Sequence, residues 1–438
     1  LMEVPAFAGM TMVIFRRDDG ADIYHETEIR AKQMSHNSVI EPRTGNILSS
    51  HSPEAAALYN QAIDLILGSQ SGATQALDRA LELDGDFAMA AAARYFVEMD
   101  SQGPDAGRYR TMALDSAART SEWERDHVGT LLGLIDDAGN TVEKARDYVK
   151  KSPNDLLVVS QLGGYLFFYG GENKLKAVLD LLESVKSGLE DDWAYLARLG
   201  FAASEVGDHQ RGRALIERAL KIRPASLYTI HAMAHLLHDE GAAEESSQVL
   251  QDWLAEHGHG AVGGQMYGHV QWHLALSEWQ TGARAAAIKR YETYCAPATT
   301  TCGPVLTLAD CGGFLLRDYL ASGEATTLHG DVLKHIEHVW PMIGHPFIAL
   351  HVAGLYASAG DIEGLKRCDE VIAASSAGTN REVSLALVSA LSDFVAEDYG
   401  SCAQTLASIS PGARVGIGGS NVERILVDLI ERASIGRQ

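Results

Sequence analysis

The chain has 438 residues, 46% hydrophobic and 21% charged, enough for a soluble core but long for one compact one. A formal net charge of −22 argues against a nucleic-acid backbone or an anionic membrane as the main partner, and a solvated acidic face accounts for it without any function. The five cysteines (Cys295, Cys302, Cys311, Cys368 and Cys402) are an odd number, which points to free thiols in a reducing cytoplasm rather than a disulfide framework.

Residues 1–43 fit no helical period and are expected to form a short irregular arm, with Thr11-Met12-Val13-Ile14-Phe15 as a strand or a segment packed on the first repeats. The apolar residues there precede Arg16-Arg17, the reverse of a secretory signal. Arg43-Thr44-Gly45-Asn46 reads as a turn before the first helix. The longest apolar stretch, Leu156 to Tyr169, is broken by Ser160, Gln161 and two glycines, so no membrane-spanning helix is expected.

From residue 44 to 438 the apolar positions recur at helical spacing, with breaks that carry a glycine. Gly72, Gly103, Gly139, Gly171, Gly207, Gly241, Gly282, Gly323, Gly360 and Gly400 stand 31, 36, 32, 36, 34, 41, 41, 37 and 40 residues apart. Glycine suits the left-handed turn between two antiparallel helices. A period of that length marks helical hairpins that bury their apolar faces only by stacking. The hairpin at Gly241 illustrates it, with Ser226 to Glu240 as one helix and Ala242 to Glu256 as the next. Ala296 to Pro304 reads as an inter-repeat loop, and His257-Gly258-His259 as a solvent-facing one.

Fragments such as Gly207-Asp208…Arg213-Ala214…Ala219-Leu220…Pro224 resemble the tetratricopeptide superfamily. More narrowly, the chain resembles the tetratricopeptide repeat protein 38 family. The stretches that carry this are Glu122-Trp123-Glu124-Arg125-Asp126-His127-Val128, Pro153-Asn154-Asp155, His231-Ala232-Met233-Ala234-His235, His269-Val270-Gln271-Trp272-His273, Asp310, and Pro346-Phe347 followed by His351. The resemblance runs loosely from about Thr44 to about Leu387. It implies a fold and the place of a site, not a reaction. The expected fold is all-α, a right-handed superhelix (α-solenoid) of about ten hairpins.

Twelve of the 17 histidines fall between His231 and His351, which places the candidate site in residues 226–355. Each HxxxH motif aims two imidazoles from one helix face. Counted back from the inter-helix glycines, His231, His235, His269, His273, Asp310 and His351 share one stripe of four successive first helices. In tetratricopeptide arrays that stripe lines the concave groove. Peptide-clamping arrays put Lys, Arg and Asn there; this chain puts His and Asp.

Two functions are expected. The first is an enzyme of lyase, isomerase or hydrolase type on a small molecule, with those six residues as acid–base groups, Asp310 fixing one tautomer, and Trp272, Phe314, Phe347 and Tyr228 lining the substrate. The second is a non-catalytic scaffold binding a protein or peptide in the groove. A transition metal such as Zn or Fe on His231, His235, His269 and His273 ranks below a metal-free cluster. The two pairs are out of register by about three residues, which shifts height by about 4.5 Å and separates them into half-sites. There is no HExxH, and Gly263-Gly264 and Gly312-Gly313 have no phosphate-loop context. The cysteine spacing fits no zinc finger, and His335, His338 and His345 read as rim residues.

Overall fold

A computed structural model describes residues 39–100, 103–375 and 378–438. The arm expected from Thr11 to Phe15 lies outside them. Among the described residues the chain is an all-α solenoid, apart from one bridge between Ile40 and Ile47. That bridge closes the turn read at residues 43–46, where Gly45 takes φ +73°. No helix among the described residues is long and apolar enough to cross a membrane.

The chain divides into two compact units. The described residues from 39 to 165, with 181–191, form the first. Its hairpins are α1 (Pro53–Leu67) with α2 (Ala73–Leu83), α3 (Ala88–Asp100) with α4 (Ala106–Ala117), and α5 (Glu122–Asp136) with α6 (Ala138–Lys151). The division falls within the next hairpin, α7 (Leu156–Tyr169) and α8 (Lys174–Ser184).

The second unit holds residues 166–180 and 192–438. Its hairpins are α9 (Trp193–Glu205) with α10 (His209–Ile222), α11 (Leu227–Asp239) with α12 (Ala243–Ala261), α13 (Tyr267–Gln280) with α14 (Arg284–Arg290), α15 (Pro304–Ser322) with α16 (Gly330–Val339), α17 (Pro346–Ser358) with α18 (Ile362–Ala373), and α19 (Thr379–Val395) with α20 (Tyr399–Ser408). The short α21 (Pro411–Gly416) and the long α22 (Asn421–Arg437) end the chain, so the described residues hold ten hairpins and a tail.

The repeat is written in local chemistry. Gly207, Gly241, Gly282, Gly323 and Gly360 end their first helices at φ between +68° and +89°, a conformation that costs a side chain energy but not glycine. After the turns at Gly207 and Gly360, and after Glu397, an aspartate starts the second helix. Asp208 accepts from the Arg211 amide (3.3 Å), Asp361 from Gly364 (2.9 Å) and Asp398 from Ser401 (3.0 Å). Two ladder glycines differ from expectation. Gly139 and Gly400 lie inside helices, and Glu397 at φ +61° supplies the left-handed turn before α20.

Hairpins stack first helix on first helix: α9, α11, α13, α15, α17 and α19 pack in sequence. Some crossings require glycine. A Cβ on Gly312 of α15 would stand 2.7 Å from the His351 carbonyl of α17. The C-terminal α22 packs chiefly against α20 and also reaches the first helices α11, α15 and α19. His257-Gly258-His259, read as a loop, lies inside α12, where the His257 ring packs at a tilt against Trp253 one turn back (centroids 5.5 Å) and Gly258 is buried.

Candidate metal centre

Helices α11 and α13 each place a histidine pair one turn apart on an inward face. Ser226 starts α11 by accepting from the Thr229 amide at 3.2 Å, which fixes where the first turn begins. Within α11 the two Nε2 atoms of His231 and His235 stand 2.7 Å apart; within α13 those of His269 and His273 stand 3.2 Å apart. Across the helices the rings pair in order, His231 with His269 at 4.9 Å and His235 with His273 at 4.5 Å between centroids. One nitrogen from each of the four lies within 4.8 Å of the others. The expected separation into half-sites is therefore not what the chain forms.

The four rings are almost wholly enclosed, with exposures of 6%, 2%, 1% and 2% in chain order. Burial drives His231, His235 and His273 well below the ordinary histidine pKa, and the neighbouring imidazoles add to it. Their neutral rings offer lone pairs at neutral pH. Two bare lone pairs at 2.7 Å repel, so such a contact needs a proton or a cation between its nitrogens.

His269 differs because Asp310, fully buried on α15, lies 2.6 Å from its Nδ1. Burial works against the charged imidazolium, but the carboxylate outweighs it and raises the His269 pKa. Burial likewise pushes Asp310 up to about 6 against the pull of His269. The pair shares one proton, held on Nδ1 because imidazole is the stronger base. Nε2 is thereby left as the lone pair facing the other three rings.

A second carboxylate stands behind the other pair. Glu205, at the end of α9, has Oε1 3.7 Å from His235 Nδ1. Burial raises it to about 7. It also accepts from the Asn421 amide (3.0 Å) and faces the Arg424 guanidinium (3.5 Å), both from α22. Phe201, also on α9, stacks on His231 (5.9 Å, 26°) and meets His235 edge-on (5.0 Å). Sequence reasoning missed both residues. Phe201 stands six before Gly207 as His235 stands six before Gly241, so the same count reaches it. Arg424 and Asn421 arrive from the far end of the chain and carry no local signal.

The remaining predicted residues divide. Trp272 lies flat on His269 (5.2 Å, 12°) and Tyr228 meets His231 edge-on at 5.9 Å, so both wall the cluster. Phe314 does not: it stacks on Tyr291 (5.0 Å, 8°) in the apolar core. Phe347 packs on Phe168 at 5.2 Å and on His351 at 4.4 Å. His351 is not among the four converging rings. Its Nδ1 donates to the Phe347 carbonyl one turn back at 2.7 Å, where close approach at Gly312 buries it. His335 bonds the Pro304 carbonyl (2.8 Å), and His345 caps α17.

The donor set suits a metal ion. At metal–nitrogen distances of about 2.0–2.1 Å, neighbouring ligands stand about 2.9–3.4 Å apart and opposite ones about 4.1 Å. The observed 2.7 and 3.2 Å and the 4.8 Å outer bound sit within about 1 Å of those values. Four neutral imidazoles leave a dication's charge uncompensated, and Asp310 and Glu205 stand one ring behind it as carboxylates whose ionised forms would offset it.

No family model matches the chain. Among solved structures it is similar to a human IFIT1 dimer with PPP-AAAA, at 14% identity over 88% of this chain and 86% of that one, with a TM-score of 0.43. It is also similar to yeast Tom70, at 11% identity over 88% and 90%, with a TM-score of 0.38. At that distance neither likeness bears on the site.

Proposed function

We propose that this is a helical-repeat protein that holds one divalent transition ion in its second unit, with His231, His235, His269 and His273 as nitrogen ligands. One observation carries the reading: four buried ring nitrogens from consecutive repeats converge within 4.8 Å. Packing alone gives no reason to gather four basic groups whose protonated forms repel one another. The donor chemistry selects zinc or another imidazole-binding metal over magnesium or calcium, which take oxygen. Four protein ligands would complete an ion's shell, as in structural sites, and a bound ion would tie α11 to α13. The resemblance to the tetratricopeptide repeat protein 38 family agrees with this placement, since the two HxxxH motifs that carry it supply the ligands.

The acid–base enzyme expected from the sequence needs a substrate to reach an imidazole. Rings at 1–6% exposure, walled by Trp272, Phe201 and α22, favour a closed centre instead. X-ray absorption on protein reconstituted with zinc tests the reading. Four nitrogen scatterers at about 2.0 Å with imidazole outer-shell features are expected; a shell dominated by oxygen or sulfur overturns it.

The scaffold reading has its own support. The first-helix face of this unit already binds a helix, its own α22, through Asn421, Arg424 and a bond from Arg317 to the Val422 carbonyl. A synthetic peptide of residues 419–438 should bind a chain ending at 418, and lack of binding to the folded shortened chain counts against it.

A further inference from the structure

Two imidazole–carboxylate pairs stand at the C-terminal ends of α9 and α11. His238 Nδ1 lies 3.6 Å from Asp239 Oδ1, and His235 Nδ1 lies 3.7 Å from Glu205 Oε1. Neither is a hydrogen bond at that length. Both Nδ1 atoms are buried and have no hydrogen-bond partner. Where a carboxylate of this chain holds a buried imidazole, the gap closes: to 2.6 Å between Asp310 and His269, and to 2.5 Å between Asp155 and His127. The two wider gaps match a different spacing. Two donors on one transition ion stand about 2.9–4.1 Å apart.

Both carboxylates are anchored from their far side by α22. Asn421 donates its backbone N–H to Glu205, at 3.0 Å to Oε2 and 3.3 Å to Oε1, and its side-chain amide to Asp239 Oδ2 at 2.9 Å. Arg424 faces the same Glu205 Oε2 at 3.5 Å. Oδ1 of Asp239 and Oε1 of Glu205 are thereby turned to the imidazoles. The pairs also differ in depth. The His238 and Asp239 side chains are 12% and 9% exposed, while that of Glu205 is 1% exposed. On the other side of the cluster His231 is covered by the Phe201 and Tyr228 rings, which are poor replacements for the waters of a dication.

We propose that these two pairs form the entry path of the four-histidine centre. A hydrated transition dication is taken up between His238 and Asp239, passes to Glu205 and the Nδ1 of His235, and moves along the edge of that ring to the four converging nitrogens. The inference rests on the metal reading above. Each step replaces water with an imidazole nitrogen and a carboxylate oxygen, and the carboxylate offsets the ion's charge as water is lost. The step at His235 conserves protons. Its 2.7 Å contact with His231 needs a proton, and with that proton on His235 Nε2 the Nδ1 presents a lone pair. As the ion reaches Nε2 the proton passes the other way, to Nδ1 beside Glu205. With two protein donors each, and with the Arg424 and Lys174 cations near Glu205, these are positions of passage rather than residence. Asn421 is a positioning residue that aims both carboxylates.

The test mixes the metal-free full chain rapidly with Co(II) and follows the visible absorption of the nitrogen-bound ion, with affinity read by titration. Residues that only guide an ion change its uptake and release equally and leave the equilibrium alone. Asp239→Asn, which keeps the size and an acceptor for Asn421, and His238→Gln should each slow uptake and release about tenfold, with affinity within about twofold of wild type. Unchanged uptake in the folded variants overturns the path. So does slower uptake with unchanged release, which is a loss of affinity and marks the residues as part of the bound centre. A wild-type chain that takes up no cobalt removes the metal reading and the path with it, whereas wild-type uptake matched by both variants removes the path alone.

Discussion

Replacing Asp310 by asparagine separates a metal centre from a packed histidine cluster. The side chain is fully buried and the substitution is nearly isosteric, so packing is preserved and the charge behind His269 is lost. The carboxylate lies 2.6 Å from Nδ1, which places it roughly 6–7 Å from an ion on Nε2, across the ring. At an effective dielectric of about 20, a dication and a carboxylate at that distance attract by ~5 kcal/mol, an upper bound. The amide retains a hydrogen bond to the ring and avoids the burial cost that pushes Asp310 up to about 6. The net loss should resemble that of other carboxylates behind metal-bound histidines, about 10- to 100-fold in affinity or ~1.4–2.7 kcal/mol. Zinc affinity is read by competition with a chromogenic chelator at fixed pH, with the metal-free melting temperature as a packing control. An affinity within about twofold of wild type refutes the idea that Asp310 tunes a ligand.

Other consequences can be checked on stability. His231, His235 and His273 have pKa values lowered by burial, so below the unfolded histidine value the unfolded chain binds protons that the folded one refuses. The metal-free protein should therefore lose stability as pH falls from about 6.5, by up to ~4 kcal/mol per pH unit from the three groups, less what Glu205 and Asp310, raised to about 7 and about 6, return over the same range. Chemical denaturation from about pH 7 to about pH 5 reads this slope, and a stability that rises as pH falls contradicts the neutral burial. Gly312→Ala drives a methyl toward the His351 carbonyl at 2.7 Å and should cost ~1–3 kcal/mol, read from the shift in denaturation midpoint. An unchanged midpoint would show that α15 and α17 part easily. Asp208→Ala removes the cap of α10 and should cost ~1 kcal/mol by the same assay, with no change in metal affinity.

The repeat was legible because it is local. A left-handed glycine followed by an aspartate cap is read from neighbouring residues, and it places Gly207-Asp208 and Gly360-Asp361 correctly. It fails at Gly400, where Glu397 takes the strained position. The histidine stripe was legible for the same reason, since i and i+4 share a face. What the glycine count could not supply was the in-order pairing of the α11 and α13 rings, which depends on how side chains interlock across the hairpins. His351 and Phe314 lie apart from the four rings for one reason: residues on a first-helix stripe also pack neighbouring first helices, and only contacts such as Gly312 against His351 decide which. Glu205, Asn421 and Arg424 meet across more than 200 residues of chain, a juxtaposition that no window of sequence contains.

The central claim is that the four imidazoles form one metal site. Elemental analysis of protein purified without a histidine tag from metal-replete medium tests it most directly, with His231→Ala and His273→Ala measured alongside. About one transition ion per chain in the wild type, lost from both variants while their helical content persists, is the expected result. A wild-type chain that carries no transition metal and is not stabilised against heating by added zinc contradicts it.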